Sequence, residues 1–138
     1  MEFTPERSLY LNESVSAQSS LEIITGISKL YSADPKKVIT LFIASGGGSV
    51  IDSFALYDYV MCALKPKLQT VALGEVNSSA VMLFLMGELR YIGDLALIRL
   101  HRFSLVIADS LVSKNALRAS GDLNRSESKY IDILMKRT

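Results

Sequence analysis

Three groups of residues in this chain have types and spacing suited to acyl-transfer chemistry: the adjacent hydroxyls Ser78 and Ser79 before the apolar run 80–86, the turn Gly46-Gly-Gly-Ser49, and His101, the only histidine. A serine at a strand-to-helix turn can attack a carbonyl once a base takes its proton, and a glycine turn can present main-chain N–H groups to the developing oxyanion. Each group also has a plainer reading. Asn77, Ser78 or Ser79 can cap the following helix, the glycines can form a tight turn that needs positive φ, and His101 can be a surface or satisfied core residue. The turn lacks the Lys-Ser/Thr ending of a phosphate loop and the spacing of a dinucleotide fingerprint, which disfavours nucleotide binding. One histidine and one cysteine are too few for a zinc site, so neither metal nor cofactor is expected.

The elements that must position these groups follow from hydrophobic periodicity. Residues 8–11 form a short apolar run, and 17–31 carry Leu21, Ile24, Ile27, Leu30 and Tyr31 on one helical face. After Asp34-Pro35, residues 38–44 (VITLFIA) are continuously apolar and β-rich, as in a parallel strand buried on both faces. Residues 50–64 return to helical spacing until Pro66, with Cys62 expected to act there as a small buried hydrophobe. The unit then repeats, with a strand over 68–73, a turn over 74–77, a helix over 79–86, and a strand over 96–100 that His101 closes. Alternating strands and helices predict an α/β fold with a mainly parallel sheet, in which chemistry collects at the carboxyl ends of the strands.

Composition narrows the functional classes. The 138 residues are 49% hydrophobic and 21% charged, which suits one globular domain. Fifteen basic and fourteen acidic residues give a formal charge of +1 with no basic block, disfavouring nucleic acid and anionic membranes as partners. The apolar run 80–86 is too short to span a bilayer and the N-terminus lacks a signal-peptide core, so a cytoplasmic or organelle-matrix protein is expected.

Over nearly its whole length the chain resembles the proteolytic subunit of the Clp protease, ClpP, within the ClpP/crotonase fold of repeated β-β-α units. Arg7-Ser-Leu-Tyr-Leu is similar to the opening strand, and the stretch from Ser32-Ala-Asp-Pro to Ala44-Ser-Gly-Gly-Gly-Ser-Val50 matches the family's acidic-Pro turn, buried strand and S-P-G-G-S-V loop. Ala55-Leu-Tyr-Asp stands for A-I-Y-D, Leu73-Gly-Glu-Val-Asn-Ser-Ser-Ala80 for the G-x-A-A-S-M turn, and Leu97-Ile-Arg-Leu-His-Arg-Phe103 for R-I-M-I-H-Q-P.

The resemblance implies roles. Ser78 falls on the nucleophile position and His101 on the general base. The N–H groups of Gly47 and Ser79 fall on the oxyanion-hole donors, while Gly48, Ser49 and Val50, with a strand over about 104–108, would pair with an extended peptide. Residues 1–138 read as a single domain, with a head over about 1–103 and a handle over about 104–138 in which Leu123, Tyr130, Ile131 and Leu134 follow helical spacing. The family's triad aspartate lies beyond the handle helix and no residue here aligns with it, so the C-terminal part of the family domain is expected to be absent; Asp109, Asp122 and Asp132 belong to the handle. Gly46, Asn77, Ser79 and Phe103 replace the family's proline, small apolar residue, methionine and proline.

The implied function is a serine endopeptidase hydrolysing polypeptides inside stacked heptameric rings of identical subunits, with a hexameric AAA+ unfoldase as partner. Only six residues precede Arg7, which curtails the family's axial segment and weakens the case for that docking. The alternative is a catalytically inactive, ClpP-like structural or regulatory subunit. A crotonase-like acyl-CoA enzyme is disfavoured, because such enzymes do not need a Ser/His pair at these positions.

Overall fold

A continuous apolar run has to be taken out of water, and the run after Val38 achieves this from Ile39 onward as a buried strand with a paired strand on either edge. The computed structural model describes residues 3–101 and 114–138. The chain divides into two compact units, Met1–Leu100 and His101–Thr138.

In the first unit, β1 (Ser8–Leu11), α1 (Ala17–Ala33), β2 (Ile39–Ser45), α2 (Val50–Asp58), a π-helical segment (Tyr59–Leu64), β3 (Leu68–Asn77), α3 (Ser79–Phe84), β4 (Leu89–Ile92) and β5 (Leu97–Arg99) follow in order. The sheet runs β1-β2-β3-β4, with β5 also on β3, and every pairing is parallel. β2 therefore lies inside the sheet, and Ile39, Leu41 and Ile43 are fully buried. α2 packs against both α1 and α3. The core is completed by Ile27, Leu56, Val60, Met82 and Leu83, all without solvent exposure.

The boundaries depart from the sequence reading in informative places. β3 does not stop at Leu73. From Ile43 to Ser45 on β2, the partner residues on β3 advance from Ala72 to Val76, so the expected turn over 74–77 is a bulge within a continuing strand. Gly74 holds φ +56 at that bulge, a conformation costly for any residue with a Cβ. The first half of β3 carries β4, a strand not anticipated because its four residues are short and largely exposed, and the second half carries β5. β5 ends at Arg99, so His101 lies beyond the strand it was expected to close.

α1 buries Ser19, Ser20, Ile23 and Ile27, which places Leu21 in solvent. The helix expected over 50–64 changes to π geometry at Tyr59 and ends on Lys65 at φ 52, ahead of Pro66. Cys62, on the π segment, is exposed rather than buried. No helix among the described residues is long and apolar enough to cross a membrane.

The second unit contains α4 (Lys114–Arg137), within the span expected of the handle. Tyr130 is buried, and that burial pushes its phenol pKa up. Ser126, Glu127, Ile133, Leu134 and Arg137 are half-covered at helical spacing from it, whereas Ile131 is exposed. The side chain of Leu123 and the strand expected over about 104–108 lie outside the described residues.

Arg7 joins the beginning of the sheet to the α1–β2 connection. Its guanidinium donates to the carbonyls of Val38 at 3.1 Å, Leu30 at 3.0 Å, Asp34 at 3.0 Å and Lys37 at 3.2 Å. Only a planar fork of donors can address so many acceptors together. Arg7→Lys is expected to lower unfolding stability by about 2 kcal/mol in urea titrations, because an ammonium cannot span these four carbonyls.

Candidate active site

β2 and β3 are parallel neighbours, so the loops at their carboxyl ends emerge side by side. This brings the glycine turn against the serines. A Cβ added to Gly47 would lie 2.7 Å from the Asn77 carbonyl oxygen, 2.8 Å from Ser78 Cβ and 3.2 Å from Ser79 N. Gly47 itself has φ +92, and this is where the turn needs glycine, for conformation and for space alike.

Ser78 occupies the N-cap position of α3 but does not behave as a cap. Its backbone stands at φ 52, ψ −127, and its side chain makes no capping bond. Two other serines show what capping looks like in this protein. Ser16 begins α1 at φ −144, ψ 171 and accepts from the Ser19 N–H at 3.2 Å; Ser49 begins α2 at φ −63, ψ 117 and accepts from the Asp52 N–H at 3.2 Å. A non-glycine residue in the Ser78 conformation costs about 1–3 kcal/mol and persists only where its surroundings over-determine it. Here the Ser78 N–H donates to the Arg99 carbonyl at 3.0 Å, and the Ser78 carbonyl accepts from the Val81 N–H at 3.0 Å. Ser78 is 8% exposed.

The neighbours of Ser78 do not cap either. The Oδ1 of Asn77 and the Oγ of Ser79 are buried without hydrogen-bond partners among the described residues. Asn77 instead donates its amide to Glu75, whose carboxylate also pairs with Arg99 at 3.2 Å. α3 spans six residues, fewer than the expected 79–86. Ser79 is its first residue, so its N–H is among those the helix leaves without an internal acceptor.

On the glycine side, the N–H of Gly47 donates to Ser45 Oγ at 3.2 Å. Val15 forms a parallel bridge with Gly48: its N–H donates to the Gly47 carbonyl at 2.8 Å, and its carbonyl accepts from the Ser49 N–H at 2.8 Å. In such a bridge the N–H and C=O of Gly48 point to the opposite edge. Gly48 is exposed, and Ser49 and Val50 are half-buried. Sequence reasoning did not find Val15, a lone apolar residue among polar ones, because its contact with the turn is made only in three dimensions. His101 opens the second unit and is exposed. Among the described residues no three of His, Cys, Asp and Glu gather as a metal site.

A parallel α/β sheet with a strained serine at a strand-to-helix junction, packed against a glycine turn, defines the architectural class. The Clp protease family matches residues 1–138, and the chain belongs to that family. It is 38% identical over 82 residues to the ATP-dependent Clp protease proteolytic subunit 1 of Synechococcus sp. (strain CC9902), a match covering 59% of this chain and 41% of that one. The proteolytic subunit 1 of Corynebacterium glutamicum is 38% identical (59% and 39% covered), and that of Prochlorococcus marinus (strain MIT 9312) is 34% identical (59% and 42% covered). The chain thus spans less than half the length of these curated relatives.

Backbone strain at Ser78 has a measurable sign. Ser78→Gly is expected to raise stability by about 1 kcal/mol in chemical denaturation, since glycine adopts this conformation without the Cβ penalty. Gly47→Ala, with its methyl driven into the Ser78 turn, is expected to lower stability by about 2 kcal/mol or more.

Proposed function

We propose that this protein is a serine endopeptidase of the Clp type, with Ser78 as nucleophile and His101 as general base. The observation that carries the reading is the Ser78 backbone, held at φ 52 and ψ −127 where Ser16 and Ser49 cap their helices in relaxed conformations. Strain of this kind at a strand-to-helix turn is how a hydroxyl is presented to a substrate rather than turned back onto its own helix.

In the reaction, the Ser78 oxygen adds to the peptide carbonyl carbon while His101 accepts its proton. The tetrahedral intermediate then collapses with cleavage of the C–N bond, and His101 returns the proton to the departing amine. Water, deprotonated in turn by His101, releases the acyl group. The oxyanion is received by main-chain N–H groups. Ser79 supplies one, and Gly47 supplies the other by exchanging its 3.2 Å bond to Ser45 for the stronger bond to a charged oxygen. An extended polypeptide pairs with the edge of 48–50 turned away from Val15, through the Gly48 N–H and C=O. No cofactor takes part.

As in the family it resembles, the subunit assembles into stacked rings that enclose the site and receive chains from an ATP-driven unfoldase, in the cytoplasm or an organelle matrix. A second reading, an inactive structural subunit, is favoured by one feature: Asn77 and Ser79 bring buried oxygens, without partners among the described residues, to positions that the family fills with apolar side chains.

A fluorophosphonate probe with mass-spectrometric mapping separates the two readings. The peptidase reading expects labelling at Ser78, loss of label in Ser78→Ala, and a fall of about 100-fold or more in labelling rate in His101→Ala. An oligomeric protein that carries no label at Ser78 is the inactive subunit. Light scattering is expected to report a mass several times that of the 15.2 kDa chain.

A further inference from the structure

We propose that Glu75 is a positioning residue for Ser78, acting as a clasp that holds β5 against the strained turn. β5 is three residues long and exposed throughout, and among the described residues it pairs only with β3. A strand so short frays readily, yet its last residue supplies the carbonyl that holds the Ser78 N–H at 3.0 Å.

Glu75 lies opposite Leu97, and Asn77 lies opposite Arg99. A single carboxylate oxygen of Glu75, Oε1, accepts from both the Asn77 amide and Arg99 Nη1, the latter at 3.2 Å. It thereby ties together the residue preceding Ser78 in the chain and the residue whose carbonyl bonds the Ser78 N–H. The two bonds to Glu75 are to Asn77 and Arg99, so its effect on Ser78 runs through these flanking residues and β5. Both side chains of the ion pair are more than half exposed, at 64% for Arg99 and 51% for Glu75, which makes the clasp a modest bias rather than a rigid lock.

The test is hydrogen–deuterium exchange at the Ser78 amide in the full chain. Glu75→Leu is expected to speed exchange about fivefold, and Arg99→Leu to do the same, with unchanged far-UV circular dichroism. Glu75→Gln, whose amide oxygen still accepts from both donors, should stay within about twofold of the parent. Exchange at the parent rate in Glu75→Leu, or Glu75→Gln behaving like Glu75→Leu, overturns the proposal.

The part of the proposal that concerns reactivity rests on the peptidase reading. In fluorophosphonate labelling, Glu75→Leu is expected to lower the maximal rate about fivefold and leave the probe's dissociation constant unchanged. A parent protein labelled at Ser78, with Glu75→Leu labelled equally fast, refutes the positioning role and leaves the peptidase reading intact. A parent protein that takes no label refutes the peptidase reading and leaves amide exchange to decide on the clasp.

Discussion

A single backbone conformation, Ser78 at φ 52 and ψ −127, is the constraint on which the rest of this arrangement turns. It is unfavourable for any residue with a Cβ, so it exists because neighbouring parts of the fold leave no alternative. The parallel pairing of β2 with β3 sets the glycine turn beside it, and the absence of a side chain on Gly47 lets the turn close to within van der Waals contact. β5 supplies the carbonyl for its N–H, and Val81 returns a bond to its own carbonyl. Folding energy gathered in the core, from Ile39, Leu41 and Ile43 on β2 to Met82 and Leu83 on α3, is in this way spent on one serine.

The same sheet explains why the glycine turn is asymmetric. One of its edges is closed by Val15, which precedes α1 and is itself anchored by the capping box of Ser16 and Ser19. The other edge keeps the N–H and C=O of Gly48 turned away from Val15, as a strand partner would require. Arg7 performs a comparable task at the opposite end of the strands, drawing the α1–β2 connection onto the start of β1 through four carbonyls. The two ends of the parallel sheet thus have different work: the amino ends are secured by a cation on main-chain oxygens, and the carboxyl ends carry the strained turn.

Asn77 and Ser79 run against economy. A buried oxygen without a partner costs about 1–3 kcal/mol, and those of Asn77 and Ser79, unpartnered among the described residues, stand beside Ser78. Asn77 recovers part of this cost through the bond from its amide to Glu75, whereas Ser79, fully buried, has no such compensation for its hydroxyl among the described residues. Polar groups left unsatisfied beside a strained residue are where this chain departs furthest from a sequence chosen for stability alone.

By itself the sequence determined the α/β class, the burial of β2 on both faces and the glycine turn, because these depend on periodicity and on residue types acting over a few positions. The order of the motifs also pointed to Ser78 as a candidate nucleophile. It misread the bulge at Gly74 as a turn, overlooked β4, grouped Leu21 with the apolar face of α1 and placed Cys62 inside, since a glycine in a strand looks like one in a loop and a short exposed strand has no apolar alternation to betray it. Only the tertiary structure decided that Ser78 is strained rather than capping, that Gly47 touches it, and that Val15, Glu75 and Arg99 share the neighbourhood. The physical reason is range: periodicity records what a residue does for its own element, whereas strain and cross-strand contacts exist only once separate elements have been packed together.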